Sequence, residues 1–272
     1  MKKSSLAFLV LLVVGVLSAC GSDEGSASSD VKKELTIGAT IPYSDMLEKA
    51  VKPILEEKGY TVTITEFTDY IQPNIALVNG SLDANLFQHK VYMDAFAKEN
   101  NMELSSVITV PTAPIGIYST KYKSLDEIQD GSVVALANDP TNLSRGLTVL
   151  KENGLIEFSE DVDPLRASEK DVTSNPKNLE FQPIEAAQLP RALESVDLAA
   201  INGNFAISAG LDLTTALVLD KMPADIVNRV VVQTKNVDEE YVQDIKDAVE
   251  SEEFKKVIEE EFQGFHRPEW MK

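Results

Sequence analysis

The residues best suited to chemistry lie where an apolar strand gives way to a helix. Residues 83–92 (DANLFQHKVY) hold two aromatic rings, two side-chain amides and one of only two histidines in the chain. In α/β proteins ligands sit in the crevice beyond the carboxyl ends of the strands. Phe87 and Tyr92 are therefore candidate apolar walls, and His89 is a directional donor or acceptor between them. Such a set suits an amphipathic small molecule. Core packing of both rings beside a satisfied surface histidine is the alternative that these ten residues leave open.

Four polar or aromatic residues elsewhere could complete a site. Arg145 falls in the first turns of a helix begun by Asp139-Pro140, where a cation faces the positive end of the helix dipole at a cost of roughly 0.3–1 kcal/mol. A ligand carboxylate would offset that cost, because free N–H groups at the helix start and a bidentate guanidinium would converge on one anion. Pairing with Asp139 or Glu152 would offset it too. Asn202 ends a buried strand in the run LAAINGN at 198–204. Its amide can accept from an ammonium and donate to a carboxylate, although Asn-Gly-Asn is also good turn chemistry. Tyr70 occupies a matching strand end in FTDY, and Asn228 stands early in a later strand, where a structural role is the simpler reading.

Enzyme signatures are missing. The chain has no G-x-S-x-G, H-E-x-x-H, G-x-x-x-x-G-K-[ST] or G-x-G-x-x-G, so acyl-transfer, zinc-protease, P-loop and dinucleotide sites have no sequence support. The only cysteine is Cys20 and the second histidine, His266, sits in the C-terminal tail, which leaves a Cys/His dyad or a zinc site without ligands. No catalytic residue, cofactor or metal is expected. Carboxylate-only chemistry stays formally open because 44 acidic residues always permit some pair. The acidic run at 250–261 reads as a solvated helix face.

The framework that must position these residues follows from length and patterning. A chain of 272 residues, 43% hydrophobic, can bury a large core and favours two domains. The formal charge of −19 argues against a nucleic-acid partner, which needs clustered Lys and Arg. Met-Lys-Lys, an apolar run at 6–17 and the closing Leu-Ser-Ala-Cys form a signal peptide at 1–19, too short for a confident membrane span. Residues 20–34 are rich in Gly, Ser and charge, and read as a flexible tether.

From 35 onward β and α patterns alternate. Strands are expected at 35–40, 60–67, 82–87, 106–110 and 115–119, then at 132–137, 179–184, 198–202, 216–220 and 226–233. A helix is expected from a capping box at 45–48, to be kinked or shortened by Pro53, with further helices at 73–79 and 91–100. A second capping box is expected at 124–127, a helix opened by residues 139–142, short helices near 190–194 and 205–208, and one long helix over 238–262. Prolines at 111 and 114 mark a crossover. One domain then spans 35–115 plus 221–272 and the other 116–220, in a bilobed α/β molecule with a cleft.

Together, four segments resemble the NlpA-type lipoproteins, the substrate-binding lipoproteins of bacterial methionine ABC importers. They are FTDYIQPN at 67–74, DANLFQH at 83–89 continuing to Tyr92, NDPTNLSR at 138–145 and NPKNL at 175–179. The Leu-Ser-Ala-Cys closing the signal peptide resembles the lipobox of bacterial lipoproteins, which implies cleavage before Cys20 and lipid attachment there. The family resemblance implies a periplasmic-binding-protein-like (type II) fold that closes on its ligand by hinge motion. It also implies capture of L-methionine or a close relative and delivery to an ABC permease powered by an ATPase subunit, from the extracytoplasmic face of a membrane. Carried across by segment, Arg145 resembles the carboxylate clamp and Asn202 the amide that holds the amino-acid backbone. Tyr70, Phe87, His89 and Tyr92 resemble the walls of the side-chain pocket. Two departures bear on the ligand: Phe205 stands where the family often has a tyrosine, and Ile41-Pro42-Tyr43-Ser44 where it often has Pro-His. A methionine-containing dipeptide, another amino acid, or a surface interaction lipoprotein of the same fold are the alternatives.

Overall fold

The computed structural model describes residues 32–159 and 161–272. The signal peptide, Cys20 and most of the tether lie outside the described residues. Among the described residues no helix is long and apolar enough to cross a membrane.

The first lobe begins with β1 (Glu34–Thr40), whose LTIGAT core is buried almost throughout. It leads through α1 (Tyr43–Met46), a wide π turn at Leu47–Val51 and α2 (Lys52–Glu57) to β2 (Thr61–Phe67). The capping box expected at 45–48 does not form. The helix starts one turn earlier behind Pro42, whose carbonyl accepts from Met46 N–H, so Asp45 already lies inside the first turn. Pro53 occupies the first turn of α2, where its missing N–H costs nothing, and the π turn takes up the break in the ladder. Next come α3 (Gln72–Val78), β3 (Ala84–His89), α4 (Lys90–Glu99) and β4 (Leu104–Thr109). All six residues of β3 are buried, as a strand covered on both faces requires.

The second lobe holds β5 (Gly116–Tyr118), β6 (Val133–Ala137), α5 (Pro140–Glu152), β7 (Glu157–Phe158), β8 (Val172–Ser174), β9 (Glu180–Ile184), α6 (Leu189–Ala192), β10 (Leu198–Ile201), α7 (Gly203–Ser208) and β11 (Val218–Leu219). The expected box at 124–127 closes only a 3-10 turn, with no side-chain cap from Ser124; the Glu127 carboxylate turns back to Lys123 N–H instead. The β7–β8 hairpin has no counterpart in the sequence pattern, because two- and three-residue strands are too short to show a period.

The chain then returns through β12 (Asn228–Gln233) and ends in α8 (Glu240–Glu250) and α9 (Glu252–Glu261). The single helix expected over 238–262 is thus two. Ser251 leaves helical geometry and its hydroxyl accepts from Phe254 N–H, capping α9. Serine competes with the backbone in this way, and the break lets Phe254 reach the fully buried core of the first lobe.

Two five-stranded sheets organise the bilobed fold, in the orders β2-β1-β3-β12-β4 and β11-β5-β10-β6-β9. The chain crosses between them at 110–115 and again at 220–227. The crossings are hydrogen-bonded to each other: Val110 N–H donates to Asn228 O, Asn228 N–H to Thr112 Oγ1, and Asp220 N–H to Ile115 O. Apolar clusters cover both faces of each sheet, so the carboxyl ends of β3, β6 and β10 are left to face the space between the lobes.

Candidate functional site

A narrow cavity of about 20 Å³, with room for little more than a water in this arrangement of the lobes, lies between them. Tyr70, Phe87, His89, Tyr92, Arg145, Asn202 and Asn228 all line it. The structure brings together all seven ligand-binding candidates named from the sequence, from positions more than 150 residues apart.

The first lobe supplies the aromatic end. The Tyr70 ring lies 5.8 Å from Phe87 and 5.8 Å from Tyr92, and Phe87 meets Tyr92 edge-on at 5.9 Å. Tyr92 donates its hydroxyl to the Tyr70 carbonyl at 2.9 Å, tying the loop after β2 to α4. Across the lobe boundary Tyr70 packs on Phe205 at 4.8 Å and donates its hydroxyl to Asn204 Oδ1 at 2.5 Å. Burial, with the Asp139 carboxylate nearby, pushes the phenols of Tyr70 and Tyr92 far above their ordinary values, so both stay protonated.

His89 sits where β3 becomes α4. Its Nδ1 accepts from Tyr92 N–H at 3.1 Å as the cap of α4, so the ring proton of the neutral imidazole is on Nε2. Burial first, then the positive charge of Arg145, lower its pKa to about 3, with the Asn142 amide acting in the opposite sense. The imidazole is a neutral donor at physiological pH, and Nε2 has no partner among the described residues.

The second lobe supplies the polar end. Asp139 caps α5 by accepting from Asn142 N–H at 3.0 Å, and also takes the Thr141 hydroxyl and the Asn142 amide. The helix start is therefore already served by Asp139, contrary to the expectation that it would share an anion with Arg145. Arg145 pairs with neither Asp139 nor Glu152. Its Nε donates to Asp220 Oδ2 at 2.6 Å, with side chains only 8% and 5% exposed, while Nη2 is buried without a partner among the described residues. Asn202 donates its Nδ2 to Asn142 Oδ1 at 2.8 Å and leaves Oδ1 unpaired; Asn204 leaves Nδ2 unpaired. Between them Gly203 is required by close approach, since a Cβ there would collide with the Pro114 carbonyl and Ala113. Asn228 donates to the Phe87 carbonyl at 3.0 Å, so it braces β3 as well as lining the cavity.

A sequence profile of the NlpA lipoprotein family matches residues 35–270. The chain belongs to the NlpA lipoprotein family. A relative from Vibrio cholerae, named as a probable D-methionine-binding lipoprotein MetQ, is 38% identical over 263 residues, 96% of each chain. One from Bacillus subtilis, named methionine-binding lipoprotein MetQ, is 35% identical over 97% of each. A solved structure described as a nutrient-binding protein from Burkholderia cenocepacia bound to methionine superimposes with a TM-score of 0.80 at 36% identity, covering 85% of this chain and 97% of that one.

In this NlpA-family chain the cavity also takes residues without a sequence-level role of their own. Asn142 lies inside NDPTNLSR and Asn204 in the Asn-Gly-Asn run; a polar side chain beside a proposed ligand residue is the signal that marks them. Tyr43 reaches the cavity with its hydroxyl accepting from Ala113 N–H at 3.2 Å. Burial pushes its phenol up to about 12. Asp220 gave no local signal, because its partner Arg145 is 75 residues away.

Proposed function

We propose that this chain is a lipid-anchored receptor that binds L-methionine or a close analogue between its lobes and hands it to an ABC permease driven by an ATPase subunit. One observation carries the reading. Four buried polar atoms, on cavity-lining residues from both lobes, have no partner among the described residues: His89 Nε2, Arg145 Nη2, Asn204 Nδ2 and Asn202 Oδ1. Each unpaired buried group costs roughly 1–3 kcal/mol. Three donors and one acceptor match an α-amino acid, whose carboxylate accepts and whose ammonium donates.

Arg145 and His89 would hold the carboxylate and Asn202 the ammonium, while Tyr70, Phe87 and Tyr92 would enclose the thioether. Sulfur–aromatic contacts contribute roughly 0.3–1.5 kcal/mol each, which selects methionine without a formal charge. Asn228 supports the wall from behind. Segments 35–115 with 221–272, and 116–220, would be the domains that move about the two crossings. Cys20 in its lipobox would tether the protein to the outer face of the cell membrane, where the permease is met. Nothing lining the cavity pairs a nucleophile with a base, since His89 is neutral with Nδ1 committed to the α4 cap; this favours binding over turnover.

Isothermal titration of the purified protein, unfolded and refolded to strip carried-over ligand, is the test. One-to-one binding of L-methionine is expected, with D-methionine and Gly-Met titrated in parallel. Absence of heat with L-methionine at micromolar protein contradicts the methionine assignment, and binding of Gly-Met alone replaces it with a dipeptide.

A further inference from the structure

Among the described residues Arg145 is the only permanently charged side chain in the wall of the cavity, yet its charge is already matched. The Asp220 carboxylate lies directly behind it, accepting from Nε, and both side chains are shut away from solvent. Asp220 is itself fixed from a second direction: its Oδ1 accepts from Ile115 N–H at 2.9 Å, and its own N–H donates to the Ile115 carbonyl at 2.9 Å. The carboxylate thus sits where the two crossings meet and cannot swing away from the guanidinium. Of the charges farther out, Asp139 and Arg229 act on the cavity wall with opposite signs. His89, the remaining titratable base, is held neutral by burial.

We infer that Asp220 is a specificity-determining residue: it cancels the charge of Arg145, so that the cavity as a whole is neutral and admits a zwitterion in preference to an anion of the same shape. This deepens the amino-acid-binding reading and rests on it. The physical reason is the low dielectric of the buried site, where an uncompensated ligand charge is strongly unfavourable. A neutral ligand with separated charges meets Arg145 at one end and the unpaired Asn202 oxygen at the other. A ligand lacking the ammonium brings a net negative charge into a cavity whose one cation is already engaged. Asp220 touches no ligand in this arrangement; it acts through Arg145.

The test compares L-methionine with 4-(methylthio)butanoate, the same molecule without its ammonium, by calorimetric titration of the full chain. Wild-type protein is expected to prefer methionine by at least 100-fold. Asp220→Asn keeps the side-chain shape and an acceptor for Ile115 while making the cavity net positive. It is expected to bind the anion at least tenfold more tightly than wild type does and to cut the preference at least tenfold. A change that merely loosened the hinge would weaken both ligands and leave the ratio unmoved, which overturns the inference. Anion binding to wild type within tenfold of methionine also overturns it, whether or not Asp220→Asn folds. If wild type binds neither ligand, the amino-acid reading has failed before Asp220 is in question.

Discussion

Two buried polar clusters meet along β3, where Gln88 of one and His89 of the other both line the cavity, and they differ in whether their hydrogen bonds are complete. Asn74, Asn85 and Gln88 form a closed set: Asn74 and Gln88 exchange amide hydrogen bonds at 2.9 and 2.7 Å, and Asn85 donates to Asn74 Oδ1 at 2.9 Å and accepts from Gln88 Nε2 at 3.0 Å. His89, Arg145, Asn202 and Asn204, equally hidden, each keep an unpaired atom. The first cluster satisfies itself, and its product is a fixed geometry that pins the start of α3 to β3. The second can be satisfied only by something that enters. Burial of polar groups alone therefore does not mark a site; burial without partners, around a cavity, does.

That contrast can be broken or sharpened by substitution. The largest effect is expected at the open cluster, where Arg145→Ala should weaken methionine binding at least 100-fold, about 3 kcal/mol, by titration calorimetry. At the closed cluster Asn85→Ala should cost about 2 kcal/mol of unfolding free energy in a denaturant melt, through the unpaired groups it leaves, with methionine affinity held within threefold. Should affinity fall as far as stability, the two clusters are not functionally separate.

His89 gives a third handle through pH. Its folded pKa, about 3, lies below the ordinary 6.5, so the unfolded chain takes up a proton that the folded one refuses. Stability on this account is full above pH 6.5 and is lost as pH falls toward 3. Between pH 7 and 5 the wild type should lose about 2 kcal/mol more than His89→Asn, which keeps a capping side chain on α4 but no titrating ring. Equal slopes in denaturant melts at the two pH values would show that the imidazole is not buried neutral. The smallest effect is expected for Tyr70→Phe, which removes the hydroxyl joining the lobes through Asn204 and should weaken binding threefold to tenfold, about 1 kcal/mol.

Much of this was legible in the chain because it is local. The strand-to-helix switch at His89, the Asp139-Pro140 start of α5 and the buried strand ending at Asn202 each announce themselves within a few residues. The apolar runs likewise mark the strands of both sheets. What was not legible depends on partners distant in sequence or on competition between caps. The run over 238–262 keeps helical spacing across Ser251, and only the pull of Phe254 into the core decides that the serine caps a new helix. Asp45 and Glu48 have the spacing of a capping box, but Pro42 starts the helix first. Arg145 at a helix start needs an anion, and that need is met in part by Asp220, which lies in the second crossing and carries no pattern of its own. The unpaired state of Nη2, Nε2 and the two asparagine atoms is a property of three dimensions only.

The most direct measurement is a diffraction structure of the refolded protein with L-methionine. The expected result places the carboxylate within hydrogen-bond distance of Arg145 Nη2 and His89 Nε2, the ammonium at Asn202 Oδ1 and the sulfur among Tyr70, Phe87 and Tyr92. Methionine bound elsewhere, or in the cavity with those polar atoms still unpaired, would contradict the account.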